Sequence, residues 1–307
     1  MGTRVEVITV GEVLAEFLSM GQGQYSGPHA GGAPAIFAAV SSRLGHRCAF
    51  FSAVGQDAFG RLLTERLVAE NVGVSGLRRL PDRTTAVAFV TYQPDGSREF
   101  VFHLRHAAAG AVAPAQLDQA LIRRARHLHL SGSALAVSES SARACLAAAR
   151  TARAAGLAIS FDPNVRRELL PPKALRERCA PLLDLMDYFL PSEGEGELMT
   201  GARTMESAAR AVLRRGTKAV VQKLSSRGCM VYTAEGGAYV PAYKVQVADP
   251  TGAGDSFSAG LVAALLEGED LGTAAHYANA AAALAVSKVG AMEGGTPEEI
   301  RRLMAQQ

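Results

Sequence analysis

The chain has 307 residues, a formal net charge of +3, 48% hydrophobic residues and 20% charged residues. This ordinary globular composition excludes wholesale disorder and a coiled-coil rod, and no Lys/Arg block suggests a nucleic-acid partner. No stretch approaches about 20 uninterrupted apolar residues, so we expect no membrane span. Residues 5–10 alternate like a strand and not like a secretory leader, which predicts a cytoplasmic protein without membrane partners.

Short apolar runs then alternate with longer helical patterns along the chain. The strand-like runs occupy residues 5–10, 48–54, 127–130, 158–161, 188–190 and 219–222. The helical patterns occupy residues 33–44, 59–71, 138–155, 175–183 and 205–214. This alternation predicts an α/β fold with a mostly parallel sheet that is covered by helices on both faces.

One region breaks the alternation. Residues 84–92 and 98–104 are strand-like runs on either side of Gln93-Pro94-Asp95-Gly96-Ser97. Pro and Gly favour a tight turn there, so the pattern predicts a hairpin. A hairpin does not belong in a parallel sheet, and we therefore expect a small antiparallel appendage that acts as a lid. Residues 17–25 can add strands to it.

Some residues that resemble functional groups have simpler interpretations. Cys48, Cys145, Cys179 and Cys229 form no CxxC pair, which predicts reduced, mostly buried thiols. His127 and His129 share one face of a strand but have no third ligand nearby, so we interpret them as packing residues. Asp57 precedes a helical pattern and is expected to cap it.

The segment Asp249-Pro250-Thr251-Gly252-Ala253-Gly254-Asp255-Ser256-Phe257 carries the strongest chemical signal. A small-residue turn that opens a helix leaves backbone N–H groups free at the positive end of the helix dipole, which favours an anion. A carboxylate beside an anion hole suits phosphoryl transfer, because it can accept a hydroxyl proton. A Gly-rich turn followed by a dipole-complementing Asp255 remains the simpler alternative. No Walker A motif occurs, which argues against a P-loop enzyme.

This segment resembles the C-terminal signature of the ribokinase-like (PfkB) carbohydrate kinases. Further segments resemble that family in its own order along the chain. They are Gly31-Gly32-Ala33, Gly55-Gln56-Asp57-Ala58-Phe59-Gly60, Ser131-Gly132, Asp162-Pro163-Asn164-Val165-Arg166, Glu195, residues 223–228 and Asn279-Ala280-Ala281-Ala282.

The resemblance implies one domain over residues 1–307. It implies a ribokinase-like three-layer α/β/α fold with a mostly parallel central sheet and a small antiparallel β-lid from about residues 14–30 and 84–107. The implied activity is ATP-dependent phosphorylation of a sugar's primary hydroxyl. The implied cofactors are ATP and Mg²⁺, with a monovalent cation such as K⁺ left open. Lids of this family often pair between subunits, so we expect a homodimer.

Residue roles follow from the same resemblance. Asp255 is implied as the general base, and the N–H groups of Gly252, Ala253 and Gly254 as stabilisers of the transferred phosphate. Glu195 is implied to orient Mg²⁺ through water. The implied sugar-binding residues are Glu16, Gly31, Gly32, His103, Arg105, Arg166 and Asp255. The implied nucleotide-binding residues are Lys223, Gly228, Thr251, Gly252, Gly254 and Asn279.

Three positions depart from the family pattern, and they bear on the substrate. Ile36 stands where an Asn usually contacts sugar hydroxyls, Ser192 replaces the Asn of an NxxE element, and Ser225 replaces a nucleotide-loop Gly. Gly32-Ala33-Pro34-Ala35-Ile36-Phe37, Phe161-Asp162-Pro163-Asn164 and Met292-Glu293-Gly294 resemble the tagatose kinase branch, which is close to the 2-keto-3-deoxygluconate kinases.

The substrate prediction depends on two arginines. If Arg105 and Arg166 both face the sugar, they favour a keto-acid, because a guanidinium pairs well with a carboxylate. If one is turned away, a neutral ketohexose is favoured. The resemblance to the tagatose kinase branch implies tagatose or a related ketohexose first and 2-keto-3-deoxygluconate second. A non-catalytic sugar or nucleotide sensor and a nucleoside-type kinase on the same fold remain the alternatives.

Overall fold

Buried apolar runs form the central sheet of this computed structural model, which describes residues 5–92 and 98–306. The predicted turn at residues 93–97 lies outside the described residues. The strands are β1 Val7–Val10, β2 Leu14–Gly21, β3 Gln24–Gly31, β4 Cys48–Gly55, β5 Leu77–Leu80, β6 Ala86–Tyr92, β7 Arg98–His103, β8 His127–Ser131, β9 Ala158–Asp162, β10 Tyr188–Phe189, β11 Ala219–Lys223, β12 Gly228–Tyr232 and β13 Gly237–Pro241.

Within the described part of the chain, nine strands form one sheet in the order β13-β12-β11-β10-β9-β8-β1-β4-β5. The pairs from β11 through β5 are parallel, whereas β12 and β13 pair antiparallel at one edge. The mostly parallel sheet is therefore confirmed. The pattern did not predict β5, β12 or β13, which lie at the edges of the sheet.

Helices cover both faces of this sheet. They are α1 Ala33–Arg43, α2 Ala58–Ala69, α3 Gln119–Arg124, α4 Gly132–Val137, α5 Glu139–Ala154, α6 Pro172–Cys179, α7 Glu195–Thr200, α8 Met205–Leu213, α9 Ala253–Glu267, α10 Leu271–Val286 and α11 Pro297–Gln306. One buried cluster joins α1, α9 and α10 to one face, and a second joins α5, α6 and α8 to the other. Two apolar layers around one sheet give the predicted α/β/α sandwich.

The lid is a second, four-stranded sheet in the order β3-β2-β6-β7. Its outer pairs are antiparallel, as predicted, while the central pair β2–β6 is parallel. β2 starts at Leu14, only four residues after β1 ends at Val10, so the lid is attached directly to the central sheet. Leu14, Ala86 and Leu104 belong to a separate buried cluster beneath the lid.

The four thiols and the two strand histidines lie in the interior. All four cysteines are free and buried, and burial raises their pKa, to about 12 for Cys179 and Cys229. His127 Nε2 and His129 Nδ1 each hydrogen-bond Ser160 Oγ at 2.8 Å. Burial lowers the pKa of both imidazoles, so they are neutral packing residues.

Asp57 caps α2 as the sequence predicts, and it has a second role. Its Oδ1 accepts the Gly60 N–H at 2.8 Å, and its Oδ2 accepts the Thr85 N–H at 2.7 Å. The hydroxyl of Thr85 also donates to Oδ1, at 2.7 Å. Asp57 thereby connects the start of α2 to Thr85, the residue that precedes β6, and so holds the point where the chain enters the lid.

Candidate active site

A cavity of about 200 Å³ lies between the lid and the carboxyl ends of the parallel strands. This is the edge at which open α/β sheets bind their ligands, because the loops that follow the strands meet there. Asp162 ends β9, Lys223 ends β11, and the loop before α9 closes the same space. Phe100 and Phe102 of β7 line it from the lid.

The start of α9 lies on the wall of this cavity and has the geometry expected of an anion hole. Gly252 precedes the helix with φ = 78°, a conformation that costs glycine little. A Cβ at Gly252 would lie 2.2 Å from the carbonyl oxygen of Ala291, whereas a Cβ at Gly254 would meet only Lys223 Nζ, at 3.5 Å. The space beside Gly254 is therefore free of side chains except for a cation, at a helix start whose first N–H groups have no partner within the helix.

Asp249 holds this loop in place. Its Oδ1 accepts the N–H of Thr251 at 2.9 Å, and its Oδ2 accepts the N–H of Gly290 at 3.1 Å. The carboxylate thus connects the glycine-rich turn to the segment that carries Ala291. This contact stabilises the turn.

Asp255 lies in the first turn of α9 and lines the cavity, although its side chain is buried. Burial raises its pKa to about 8, and the nearby negative charge of Asp162 acts in the same direction. Lys223 and Arg166 oppose that shift. Asn164 Nδ2 donates to Oδ1 at 3.1 Å and so orients the carboxyl group. A buried, oriented carboxyl beside an anion hole is the arrangement that general-base catalysis needs.

Lys223 is the cation of the anion hole, and its partner is Asp162. Lys223 Nζ donates to Asp162 Oδ2, and the two side chains are 11% and 1% exposed. Ser258 Oγ also donates to Oδ2, at 3.3 Å, and the Asn164 N–H donates to Oδ1, at 3.1 Å. The pair holds the lysine ammonium at the helix start, where a phosphate would bind.

Glu195 lines the same end of the cavity at the start of α7. Its Oε1 accepts the Val165 N–H and its Oε2 accepts the Ser192 N–H, both at 2.7 Å. Burial, followed by the charge of Asp162, raises its pKa. Because Ser192 acts through its backbone, the absence of Asn at that position leaves the anchoring of Glu195 intact.

The predicted sugar residues next to the lid come together only in part. Glu16 and Gly32 line the cavity, and Glu16 is buried. Gly31 lies behind Glu16, because a Cβ there would be 2.8 Å from Glu16 Oε2. Arg166 lines the cavity, with its guanidinium carbon 5.5 Å from the ring centroid of Phe100. Ile36 also lines the cavity and gives it an apolar wall.

His103 and Arg105 do not line the cavity. Side chains alternate across β7, where Phe100 and Phe102 take the cavity side and His103 the other, whereas Arg105 lies in the turn that follows the strand. His103 is exposed. Arg105 is exposed as well, and its Nη2 donates to the carbonyl oxygen of Leu169 at 3.2 Å. Both residues therefore lie outside this cavity, and their contact with the sugar stays a prediction.

Gly228 and Asn279 also lie away from this cavity. Asn279 Nδ2 donates to the carbonyl oxygens of Val240 and Pro241, at 3.2 and 3.1 Å, and so joins α10 to β13. Gly228 packs against the same corner, where a Cβ would be 2.1 Å from the carbonyl oxygen of Val240. Their roles in nucleotide binding stay predictions.

Three polar residues of the site were not singled out from the sequence as site residues. Glu12, Ser133 and Asn164 line the cavity. Glu12 follows the end of β1 and Ser133 follows the end of β8, so a signal existed: polar residues just after parallel strands lie at the binding edge. Asn164 follows Asp162 in the Asp-Pro-Asn segment, where the family resemblance drew attention to Asp162 and Arg166 instead.

The two glycines of the anion hole make a matched experimental pair. We expect Gly252→Ala to lower the unfolding free energy by more than about 1 kcal/mol, because the positive φ and the Ala291 carbonyl both disfavour a Cβ. Gly254→Ala should keep the wild-type midpoint of urea unfolding. It should weaken the binding of Mg-ATP, because the added Cβ enters the space beside Lys223 where we expect the phosphate. Equal stability of the two variants would contradict this assignment of the loop.

Comparison with known proteins agrees with this geometry. A model of the family described as "pfkB family carbohydrate kinase" matches residues 8–299. Fructokinase-2 of Zea mays is 35% identical over 301 residues, which cover 93% of this chain and 90% of that protein. Fructokinase-1 of Oryza sativa subsp. japonica is 34% identical over 314 residues, which cover 97% of each chain.

Solved structures show the same fold. An E. coli protein provisionally assigned as ribokinase II, in complex with ATP and Mg²⁺, superposes with a TM-score of 0.92 at 37% identity and covers 99% of this chain and 100% of that one. Fructokinase from Vibrio cholerae O395, with fructose, ADP and calcium bound, gives a TM-score of 0.87 at 28% identity, with coverage of 99% and 100%. The chain belongs to the pfkB family of carbohydrate kinases and is an ATP-dependent sugar kinase, a phosphotransferase with an alcohol group as acceptor.

Proposed function

We propose that this kinase phosphorylates a primary hydroxyl of a neutral ketohexose such as fructose or tagatose, with Asp255 as the general base. The observation that carries the substrate class is the charge of the cavity near the lid. Glu12 and Glu16 are buried acids there, and Arg166 is the cationic side chain beside them. Two acids beside one guanidinium leave no surplus of positive charge for an acidic acceptor at this end of the cavity, and Lys223 at the other end is paired with Asp162.

The orientation of Arg105 supports the same choice. A carboxylate clamp of the kind considered for a keto-acid needs two guanidinium groups, and Arg105 instead donates to the Leu169 carbonyl. Arg166 alone can still hydrogen-bond vicinal hydroxyls. Fructokinases among the similar proteins add weight to a ketohexose over 2-keto-3-deoxygluconate, and they make fructose at least as good a candidate as tagatose.

The roles of the chain's own groups follow from the geometry. Asp255 accepts the proton of the acceptor hydroxyl, and Asn164 keeps its carboxyl oriented for that transfer. The N–H groups at the start of α9, with Lys223, hold the charge that develops on the phosphoryl group. Closure of the lid over the sugar excludes water, which would otherwise compete as acceptor.

The donor groups near the anion hole fit a hydrated Mg²⁺. Among the residues that the structure describes, no group of three or more His, Cys, Asp or Glu side chains is placed to hold a metal. Mg²⁺ is often held by one or two carboxylates together with waters and substrate phosphates, and Glu195 beside the anion hole matches that pattern. When bound with ATP, the ion would neutralise phosphate charge.

A coupled ADP-release assay with Mg-ATP tests this proposal. The acceptor panel contains D-fructose, D-tagatose, D-psicose, 2-keto-3-deoxygluconate, D-ribose and adenosine, each with and without K⁺. We expect turnover on a neutral ketohexose and at least about 100-fold lower kcat/KM on the keto-acid. A preference for adenosine would favour the nucleoside-kinase alternative, and binding of sugar or nucleotide without ADP release would favour the sensor.

The proposal includes a homodimer that forms through the outer face of the lid. Phe17, Phe89 and Val101 lie side by side on three neighbouring strands of that face, and Tyr25 contacts Phe89. Val101 is 57% exposed and Tyr25 is 43% exposed. A second copy would cover these apolar side chains. Sedimentation velocity should give a dimer for the wild type and a shift toward monomer for Val101→Glu.

A further inference from the structure

Glu12 is an acidic residue of the cavity to which the mechanism above gives no task. It lies between β1 and β2, only 3% exposed, and lines the cavity. Its Oε1 accepts the Ser133 hydroxyl at 2.6 Å, and the backbone N–H groups of Glu12 and Ala33 lie near the carboxyl, but Oε2 makes no hydrogen bond of normal geometry with the described residues. A buried carboxyl oxygen without a partner is costly, and a ligand that hydrogen-bonds to it would remove that cost.

The surroundings of Glu12 fix its orientation. Ser133 Oγ also lies 2.9 Å from Ser131 Oγ, so a short hydroxyl chain positions the bonded oxygen. Leu14, Ala33 and Ile36 line the same cavity and offer no side-chain hydrogen bond. None of these three side chains can satisfy Glu12 Oε2.

We propose that Glu12 binds a hydroxyl of the acceptor sugar through Oε2, a hydroxyl other than the one that is phosphorylated. This inference rests on the proposed function and makes Glu12 a specificity-determining residue of the sugar site. An ionised carboxylate accepts a hydrogen bond from such a hydroxyl, and a protonated carboxyl donates one to it. A sugar hydroxyl satisfies either form, whereas a carboxylate on the acceptor would meet repulsion from the ionised form.

Burial of Glu12 makes both forms relevant near neutrality. Desolvation raises the pKa of Glu12 to about 7, with the Ser133 hydrogen bond and the charge of Arg166 acting in the opposite direction. Glu12 also contributes to the raised pKa of Asp255, so the two acids share one electrostatic environment.

Two variants test the proposal. Glu12→Met has a similar length and no hydrogen-bonding oxygen, and Glu12→Gln keeps hydrogen bonding without charge. The readouts are the acceptor Kd from isothermal titration calorimetry and the KM of both substrates. We expect Glu12→Met to raise the acceptor Kd and KM about 10- to 100-fold, the range for a hydrogen bond to a charged group, with the ATP KM within about twofold. The acceptor Kd and KM of Glu12→Gln should lie between those of Glu12→Met and those of the wild type. Glu139→Met, at an exposed acid on α5, is the matched control.

Deoxy analogues of the acceptor separate a direct contact from a structural effect. The analogue that lacks the bound hydroxyl should bind the wild type as weakly as the intact sugar binds Glu12→Met, and the variant should lose nothing further with it. Equal losses with every analogue, or an equal rise in the ATP KM, would overturn the proposal. If Glu12→Met does not fold, the same comparison is made with Glu12→Gln.

The same titrations distinguish this inference from the proposed function. If the wild type binds ribose or a nucleoside and no ketohexose, the ketohexose proposal fails, and deoxyribose analogues then test Glu12 alone. A wild-type chain that binds no polyhydroxylated acceptor overturns both.

Discussion

Asp255→Asn is expected to lower kcat by about 100- to 10,000-fold, which is the usual contribution of a positioned general base. The amide fills the same volume but cannot accept the proton of the acceptor hydroxyl. Because the N–H groups of Gly252–Gly254 and the ammonium of Lys223 are untouched, the KM for ATP should change little. Steady-state kinetics of ADP release, with both substrates varied, measure the two effects separately.

Asn164→Ala is the matched control for this substitution. It removes the hydrogen bond to Asp255 Oδ1 and leaves the carboxylate in place. We expect a smaller loss of kcat than for Asp255→Asn, because an unoriented base still accepts protons. Wild-type turnover by Asp255→Asn on the best acceptor would remove Asp255 from the chemistry.

The raised pKa of Asp255 predicts the direction of the pH dependence. The base must be ionised, and its pKa of about 8 means that the neutral form predominates below that pH. The value of kcat/KM should therefore fall about tenfold for each unit of pH below 8, since it reports the free enzyme. A plateau extending from pH 8 down to pH 5 would show that Asp255 is not the group that titrates.

Lys223→Met is expected to damage stability and activity together. The substitution leaves Asp162, which is 1% exposed, without its cation, and breaking a buried pair in this way costs about 3–5 kcal/mol. It also removes the positive charge beside the phosphate site, so the KM for ATP should rise and kcat should fall. Urea denaturation measures the loss of unfolding free energy, and the ADP-release assay measures the changes in KM and kcat.

The double variant Asp162→Asn/Lys223→Met separates the two effects. With both charges gone, no buried ion is left unpaired, and most of the lost stability should return. Activity should not return, because the phosphate still lacks its cation. Recovery of turnover in the double variant would mean that Lys223 acts only through Asp162, while a stable single variant would show that the pair is not isolated from water.

Hydrophobic periodicity predicted the centre of the fold well and its edges poorly. The predicted strands at residues 48–54, 127–130, 158–161 and 219–222 agree with the structure to within one residue at their ends. Both faces of these strands are buried, so a continuous apolar run marks the length of each strand. β5 and β13 are largely exposed and lack such a run. Their positions depend on pairing with β4 and β12, which no local pattern specifies.

The candidate site divides along similar lines. The anion hole and Asp255 were predictable because helix start, glycines and acid are adjacent in sequence. The resemblance implied Arg105 at the sugar, but Arg105 lies exposed in the turn after β7, while the preceding Leu104 lines the cavity. Glu12 and Ser133 are 121 positions apart in sequence, so only the pairing of β1 with β8 brings them together.

Because all four thiols are buried, we expect the native protein to react very slowly with maleimide dyes. Thiolates are the reactive form, and interior cysteines with raised pKa values present almost none. A cysteine introduced at Met20, which is 70% exposed near the end of β2 in the lid, and another at an exposed position of α8 such as Arg210 would therefore carry a donor–acceptor pair without background labelling. Fluorescence transfer between them would report the distance from lid to core in real time as sugar and nucleotide bind.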